Sequence, residues 1–181
     1  MRTLDAWLAH GEGLLAICGP KGSGKTHLAR IVESETVGAG RPVTVLDDLG
    51  DRRQASDLLA AIEEARAAGK RMALAGRGEP REWAAGLKDL ETRLNAAQRI
   101  TLVEPDEALL RAVMTKMFRD RQLRAPEAIA VYAAPRLPKT FAAAQAFVAA
   151  LDALSIEKGQ PIGMKLAREA VANLSEEPFR A

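Results

Sequence analysis

The octapeptide Gly19-Pro20-Lys21-Gly22-Ser23-Gly24-Lys25-Thr26, set between a short apolar run and an amphipathic stretch, constrains this chain more than any other feature. It has the form G-x-x-x-x-G-K-T. Its glycines let backbone N–H groups turn inward around phosphates, and a helix starting at its end points its positive pole at the same place. In such a loop Lys25 neutralises β/γ-phosphate charge and Thr26 ligates Mg²⁺. The residues before it, Leu14-Leu15-Ala16-Ile17-Cys18, are apolar throughout and bounded by glycines, which suits a strand buried on both faces of a parallel sheet. After it, Leu28, Ile31 and Val32 keep helical spacing until Gly38-Ala39-Gly40 ends the helix. Strand, glycine loop and helix therefore occur in the order that phosphate binding requires.

The same alternation continues to residue 104. A short helix over residues 2–10 carries Leu4, Trp7 and Leu8 on one face, and a turn at Gly11-Glu12-Gly13 follows it. Further strands are predicted at 43–46, 72–75 and 100–103, and helices at 55–68 and 87–97, the first with Leu58, Leu59, Ile62 and Ala65 at spacings of three and four. Strands alternating with helices imply a four-stranded parallel sheet. Beyond Glu104 the pattern becomes helical only, with segments predicted at 105–122, 126–134, 141–158 and 163–174; Pro105 and Pro126 stand at first helical positions and Thr140 is an N-cap. The expected organisation is an α/β nucleotide-binding unit over 1–104 and an all-helical lid over 105–181.

Composition narrows the function classes. The chain has 181 residues, 48% hydrophobic and only 4% aromatic, and is rich in alanine, which argues against disorder and against a β-sandwich. Its 26 basic residues face 24 acidic ones, a net charge of +2, and the balance is nearly even on either side of residue 104. Strong direct DNA binding is not expected from such a balance. Arg111, Lys116, Arg119, Arg121 and Arg124 are locally basic, but they do not share a helix face and Asp120 interrupts them, so a solvated face is the preferred reading. One cysteine, Cys18, makes no internal disulfide, and no leader or apolar run of about 18 residues is seen. A cytoplasmic protein without a membrane segment is expected. His10 and His27 have no metal-ligand spacing, and Trp7 and Trp83 read as packing residues.

Asp47-Asp48 closes the second strand, where phosphoryl-transfer sites place an acidic residue for Mg²⁺ and a neighbour that polarises water. Asp47 is assigned to the metal and Asp48 to the base. With both motifs and the helical segment together, the chain resembles the AAA+ ATPases of the DnaA/Hda group from Leu14 to Leu174. The resemblance rests on residues 19–30, where His27 follows Thr26; on Arg77-Gly78-Glu79-Pro80-Arg81-Glu82-Trp83; and on Asp89-Leu90-Glu91-Thr92-Arg93-Leu94. The last is similar to the family segment that carries the arginine finger, which implies that role, in trans, for Arg93. The helical segment, with Pro105-Asp106-Glu107-Ala108-Leu109-Leu110 and the residues 136–142, looks most like the Hda branch. The resemblance thus implies ATP or ADP bound by residues 19–27, Mg²⁺ at Thr26 and Asp47, and catalysis by Asp48 and Arg93. It also implies a DnaA-type initiator as partner, with the sliding clamp and self-association as further partners.

The chain departs from that pattern at several points. Only 20 residues separate Thr26 from Asp47, so a strand-helix unit usual in the family is missing. The segment that lies over the adenine is reduced to residues 1–13, and no DNA-binding helix-turn-helix is expected after the lid. No glutamine-leucine clamp-binding motif is seen near the start. The sensor position after the third strand offers only Arg77, and the lid sensor position falls near Ala142, with Arg136 and Lys139 as substitutes. Slow intrinsic hydrolysis is expected. Three readings stay open: a nucleotide-dependent regulator of replication initiation, an adaptor of the same fold that binds a partner without hydrolysis, and a small-molecule kinase.

Overall fold

The structure is a computed structural model and describes residues 2–10, 13–49 and 54–176. The chain divides into two compact units, Met1–Val103 and Glu104–Ala181. The first contains helix α1 (Arg2–His10), strand β1 (Leu14–Cys18), α2 (Lys25–Gly38), β2 (Val43–Leu49), α3 (Ala55–Ala67), β3 (Arg71–Gly76), α4 (Lys88–Asn95) and β4 (Gln98–Thr101). A three-ten turn over Pro80–Ala84 lies between β3 and α4. Of the expected turn after α1, Gly11 and Glu12 lie outside the described residues.

The four strands form one parallel sheet in the order β2-β3-β1-β4. β1 and β3 occupy its middle and are buried along almost their whole length, because helices cover both faces. Alternation along a strand divides their side chains between two cores. Leu15 and Ile17 of β1 and Ala73 and Ala75 of β3 pack with Trp7 of α1 and Ala29 and Val32 of α2. Ala16, Cys18, Met72 and Leu74 face the other way, against Leu58, Ile62 and Ala65 of α3 and Leu90 and Leu94 of α4. On α2 the buried face is Ala29, Val32 and Thr36, and Ile31, expected to point inward, is 39% exposed.

Two strands differ from their expected bounds by more than one residue. β4 lies at Gln98–Thr101 and not at 100–103. Register with β1 explains this: Leu15 pairs with Gln98 and Cys18 with Thr101, and the strand is an edge whose Ile100 packs against the core, as does Leu102 just beyond it. Val103 is 76% exposed, so an apolar run was a poor guide to an edge strand. β2 runs through the aspartates to Leu49 and does not stop before them.

The second unit consists of α5 (Glu107–Asp120), α6 (Glu127–Ala133), α7 (Phe141–Lys158) and α8 (Met164–Glu176) around one core. α7 is its central helix, burying Ala143, Ala144, Phe147, Val148, Leu151 and Leu154. Thr140 caps it as expected, accepting from the Ala143 N–H at 3.1 Å, and Gly159 closes it in the left-handed region. The prolines sit earlier than predicted: Pro126 is itself the N-cap of α6, and Pro105 precedes Asp106, whose carboxylate caps α5 through the Leu109 N–H at 2.7 Å. Arg111, Lys116, Arg119, Arg121 and Arg124 are all exposed, with Lys116 paired to Asp120 along the helix at 2.5 Å.

Leu74 is fully buried between β1 and the α3–α4 layer. Leu74→Ala should therefore destabilise the protein by about 2–5 kcal/mol, measured as a lower urea midpoint with unchanged slope. Thr140→Ala should cost about 1 kcal/mol, restored by Thr140→Ser but not by Thr140→Val.

Candidate phosphate-binding site

The chain leaves the buried end of β1 at Cys18 and must turn at once. Gly19 has φ +152°, and a β-carbon there would collide with the Leu102 carbonyl and lie 3.0 Å from Ser23 Oγ. Glycine is thus demanded by backbone packing as well as by torsion. Gly22 (φ +78°) and Gly24 (φ +92°) complete the turn, and Gly24 is the N-cap of α2. No side chain caps this helix and its first turn carries no acidic residue, so its leading N–H groups and positive pole are left for another anion. Ser23 is 4% exposed, and its hydroxyl has no hydrogen-bond partner. An uncapped helix start beside a buried, unpartnered hydroxyl fits a phosphate group, whose oxygens accept from both. Pro20, Lys21, Thr26 and His27 are exposed around this loop.

Lys25 Nζ donates to the Pro20 carbonyl at 2.6 Å, which folds the side chain back along the loop. Burial and, second, the Arg77 guanidinium push its pKa below the usual lysine value, while Asp47 and Asp48 hold it up. These opposing influences locate the residues: the loop, the aspartate pair and Arg77 share one electrostatic neighbourhood at the carboxyl ends of the strands. That edge is where open parallel sheets bind their ligands.

The aspartates reach this neighbourhood through a feature invisible in the sequence. Leu46 pairs with Leu74 and Leu49 with Gly76, so Asp47 and Asp48 together oppose the single residue Ala75. This is a β-bulge. Asp48 has φ +61°, and its N–H donates to Asp47 Oδ1 at 2.8 Å. Both aspartates are exposed. Beside them Gly76 allows β2 to approach, since a β-carbon there would lie 2.6 Å from the Leu49 carbonyl and 2.7 Å from Trp83 Cε2. Arg77 follows, its N–H bonded to the Leu49 carbonyl at 3.2 Å and its carbonyl to Trp83 Nε1 at 2.6 Å. Among the described residues no cluster of three or more His, Cys, Asp or Glu could hold a metal alone. Thr26 and Asp47 suit only an ion that keeps waters and phosphate oxygens as its other ligands.

Arg93 does not join this group. It lies on α4, its Nε 2.9 Å from Glu63 Oε1 of α3, beside the residues that begin β1 and β3. Leu14 and Cys18 are four residue steps apart, roughly 13 Å at a strand's rise, so Arg93 stands at the opposite end of the sheet from the loop that follows Cys18. Four more cations gather near it, Arg41, Arg66, Lys70 and Arg71; three of them lie within residues 66–71, but their meeting with Arg41 and Arg93 has no local pattern and was not foreseen.

No protein-family model and no curated protein matches the sequence. Solved structures do match in fold. Domain III of the Thermotoga maritima replication initiation protein DnaA superposes with a TM-score of 0.80 at 16% identity, over 95% of this chain and 89% of that one. The fold is that of DnaA domain III. Replication initiator DnaA bound to AMPPCP and single-stranded DNA gives a TM-score of 0.70 at 15% identity, covering 97% of this chain and 65% of that chain. The Thermotoga maritima RuvB Holliday junction branch migration motor gives 0.68 at 18% identity, over 97% and 67%. The expected architecture, a four-stranded parallel sheet with a helical C-terminal segment, is therefore the observed one. Among the described residues no helix is long and apolar enough to cross a membrane.

The depressed pKa of Lys25 has a defined sign in stability. The unfolded chain binds this proton more readily, so the folded state gains stability as pH rises through the interval between the depressed value and 10.5, and carries the full penalty below it. The stability of wild type relative to Lys25→Met should therefore improve from pH 7 to pH 10 in urea unfolding. A constant difference would show that Lys25 titrates normally.

Proposed function

We propose that this chain is an ATP/ADP-binding, DnaA-like regulator of bacterial replication initiation, which docks on a DnaA-type initiator and promotes hydrolysis of its bound ATP. The observation that carries the nucleotide reading is the loop: an uncapped α2 start, an unpartnered Ser23 hydroxyl and a Lys25 poised between Arg77 and two aspartates. In this reading residues 19–27 wrap the phosphates, and Lys25 exchanges the Pro20 carbonyl for β/γ oxygens. Thr26 and Asp47 hold Mg²⁺, which when bound supplies charge neutralisation across the β- and γ-phosphates. Asp48, fixed by the bulge, accepts the proton of the attacking water. The DnaA structure that carries AMPPCP lends support by likeness of fold.

Arg93 supports action in trans. Standing some 13 Å or more from its own loop, it serves phosphates brought by another molecule, where a guanidinium stabilises charge on the transferring group. Its pairing with Glu63 is partly exposed and so easily exchanged for a phosphate. The same face suits self-association, and the sliding clamp is a further partner in the regulatory reading; the cytoplasm is where these partners meet. A second reading, an adaptor that binds the initiator without hydrolysis, is favoured by the exposure of the whole acidic pair on an edge strand.

Two measurements decide between them. Calorimetric titration with Mg-ATP should give micromolar or tighter affinity, lost by at least about 100-fold in Lys25→Ala; equal affinities would reject the loop as the site. Turnover of initiator-bound ATP should rise on adding the wild-type chain and fall by about 10³-fold or more of that stimulation with Arg93→Ala. Tight ATP binding without any stimulation would establish the adaptor.

A further inference from the structure

The cluster around Arg93 lines a cavity of about 670 Å³ at the amino ends of β1 and β3, within the size range of small-ligand sites. Among the described residues its charge is one-sided. Arg41, Arg66, Lys70, Arg71 and Arg93 all line it, and the carboxylate that faces them is Glu63, which sits 2.9 Å from Arg93 without hydrogen-bond alignment. Arg41, Arg66, Lys70 and Arg71 have no ion-pair partner among the described residues. Gathering like charges costs free energy unless something balances them.

Structural duties account for only part of the cluster. Arg41 Nη2 donates to the Ala9 carbonyl at 3.0 Å, and Arg71 Nη2 to the Trp7 carbonyl at 3.1 Å, with the Arg71 guanidinium 4.0 Å above the Trp7 ring. Arg71 Nε and Nη1, however, are buried with no partner, and burial together with Arg41 depresses its pKa. A half-buried guanidinium with three N–H groups unused is costly in a site that nothing occupies. Arg66 and Lys70 are not needed to close α3 either. The carbonyls of Glu64, Arg66 and Ala65 at that end already accept from the N–H groups of Ala68, Gly69 and Lys70 at 3.0, 3.0 and 2.8 Å.

We propose that this cleft is a second anion site, which binds a small ligand carrying two or more phosphate groups, in the cavity lined by Arg41, Arg66, Lys70, Arg71 and Arg93. Several multiply charged groups are needed to balance four unpaired cations, and planar guanidiniums match phosphate oxygens in pairs. A nucleic-acid strand is disfavoured. Sequence-tolerant strand binding uses exposed stacking aromatics along a groove, and the aromatic residue here, Trp7, is fully buried beneath Arg71. The inference is independent of the loop at the other end of the sheet.

The test uses the full chain carrying Lys25→Ala, which silences that loop, and inorganic triphosphate as the probe. Titration should show one site, weakened at least about tenfold by Arg66→Ala with Lys70→Ala, two exposed side chains whose loss should not lower the urea midpoint. In wild-type protein the same pair of substitutions should remove one of two triphosphate sites. No binding, or binding insensitive to the pair, overturns the proposal. So does equal affinity for citrate, which would mark a general carboxylate site. Tighter binding of an oligodeoxythymidine that depends on Arg66 and Lys70 and displaces triphosphate would overturn it in favour of a nucleic-acid surface.

Discussion

The backbone of Leu102 holds the start of the phosphate loop with both of its polar groups. Its N–H donates to the Cys18 carbonyl at 2.7 Å, one step beyond the β1–β4 ladder, and its carbonyl fills the space that a side chain on residue 19 would need. The residue that follows an edge strand thus determines where the loop can pass. β4 itself is short, half-exposed and poor in apolar residues, so its packing alone explains little of its place in the sheet. It is held by pairing with β1, and β1 is held by burial on both faces, so the loop's geometry is anchored in the two cores that Leu15, Ile17, Ala16 and Cys18 knit together.

Charge is distributed along the strands with two distinct characters. At their carboxyl ends, Lys25 and Arg77 stand with Asp47 and Asp48, a mixed field in which burial and Arg77 push the lysine towards neutrality and the aspartates hold it charged. At their amino ends cations are gathered with little compensation. The near-zero net charge of the chain does not reveal this separation. A near-even net charge describes the surface as a whole and says nothing about a concave site.

The central part of this fold was legible in the sequence because local pattern and tertiary environment agree there. Leu14–Cys18, with no polar residue, could be buried on both faces, and Phe141–Lys158, bracketed by Thr140 and Gly159, carried its own start and stop. Edges were less legible. Gln98 and Arg99 look nothing like a strand and are one because β1 offers them a ladder, while Ile100 to Val103 look like one and half fall outside. Ile31 faces out although its spacing is right, since Ala29 lets α2 approach the sheet more closely than a larger side chain would. The candidate site divides in the same way. The glycine loop was readable residue by residue, whereas the bulge is a mismatch between two strands, and the basic cleft joins residues 66–71 to Arg41 and Arg93, which meet them only in space.

The bulge also bears on what the aspartates are for. β2 is an edge strand, and an exposed edge is blunted by charge and by local twist, both of which Asp47 and Asp48 supply. That duty alone would be met by any charged pair at any point along the edge. It does not explain why the bulge stands at the carboxyl end, opposite Ala75 and one residue before Gly76, where glycine is required for β2 to come close. Nor does it explain why the carboxylates act on Lys25 across the intervening strand β3. Edge protection and the proposed place in a phosphate site are compatible, and the proposed role would account for the position of the bulge, which edge protection leaves open.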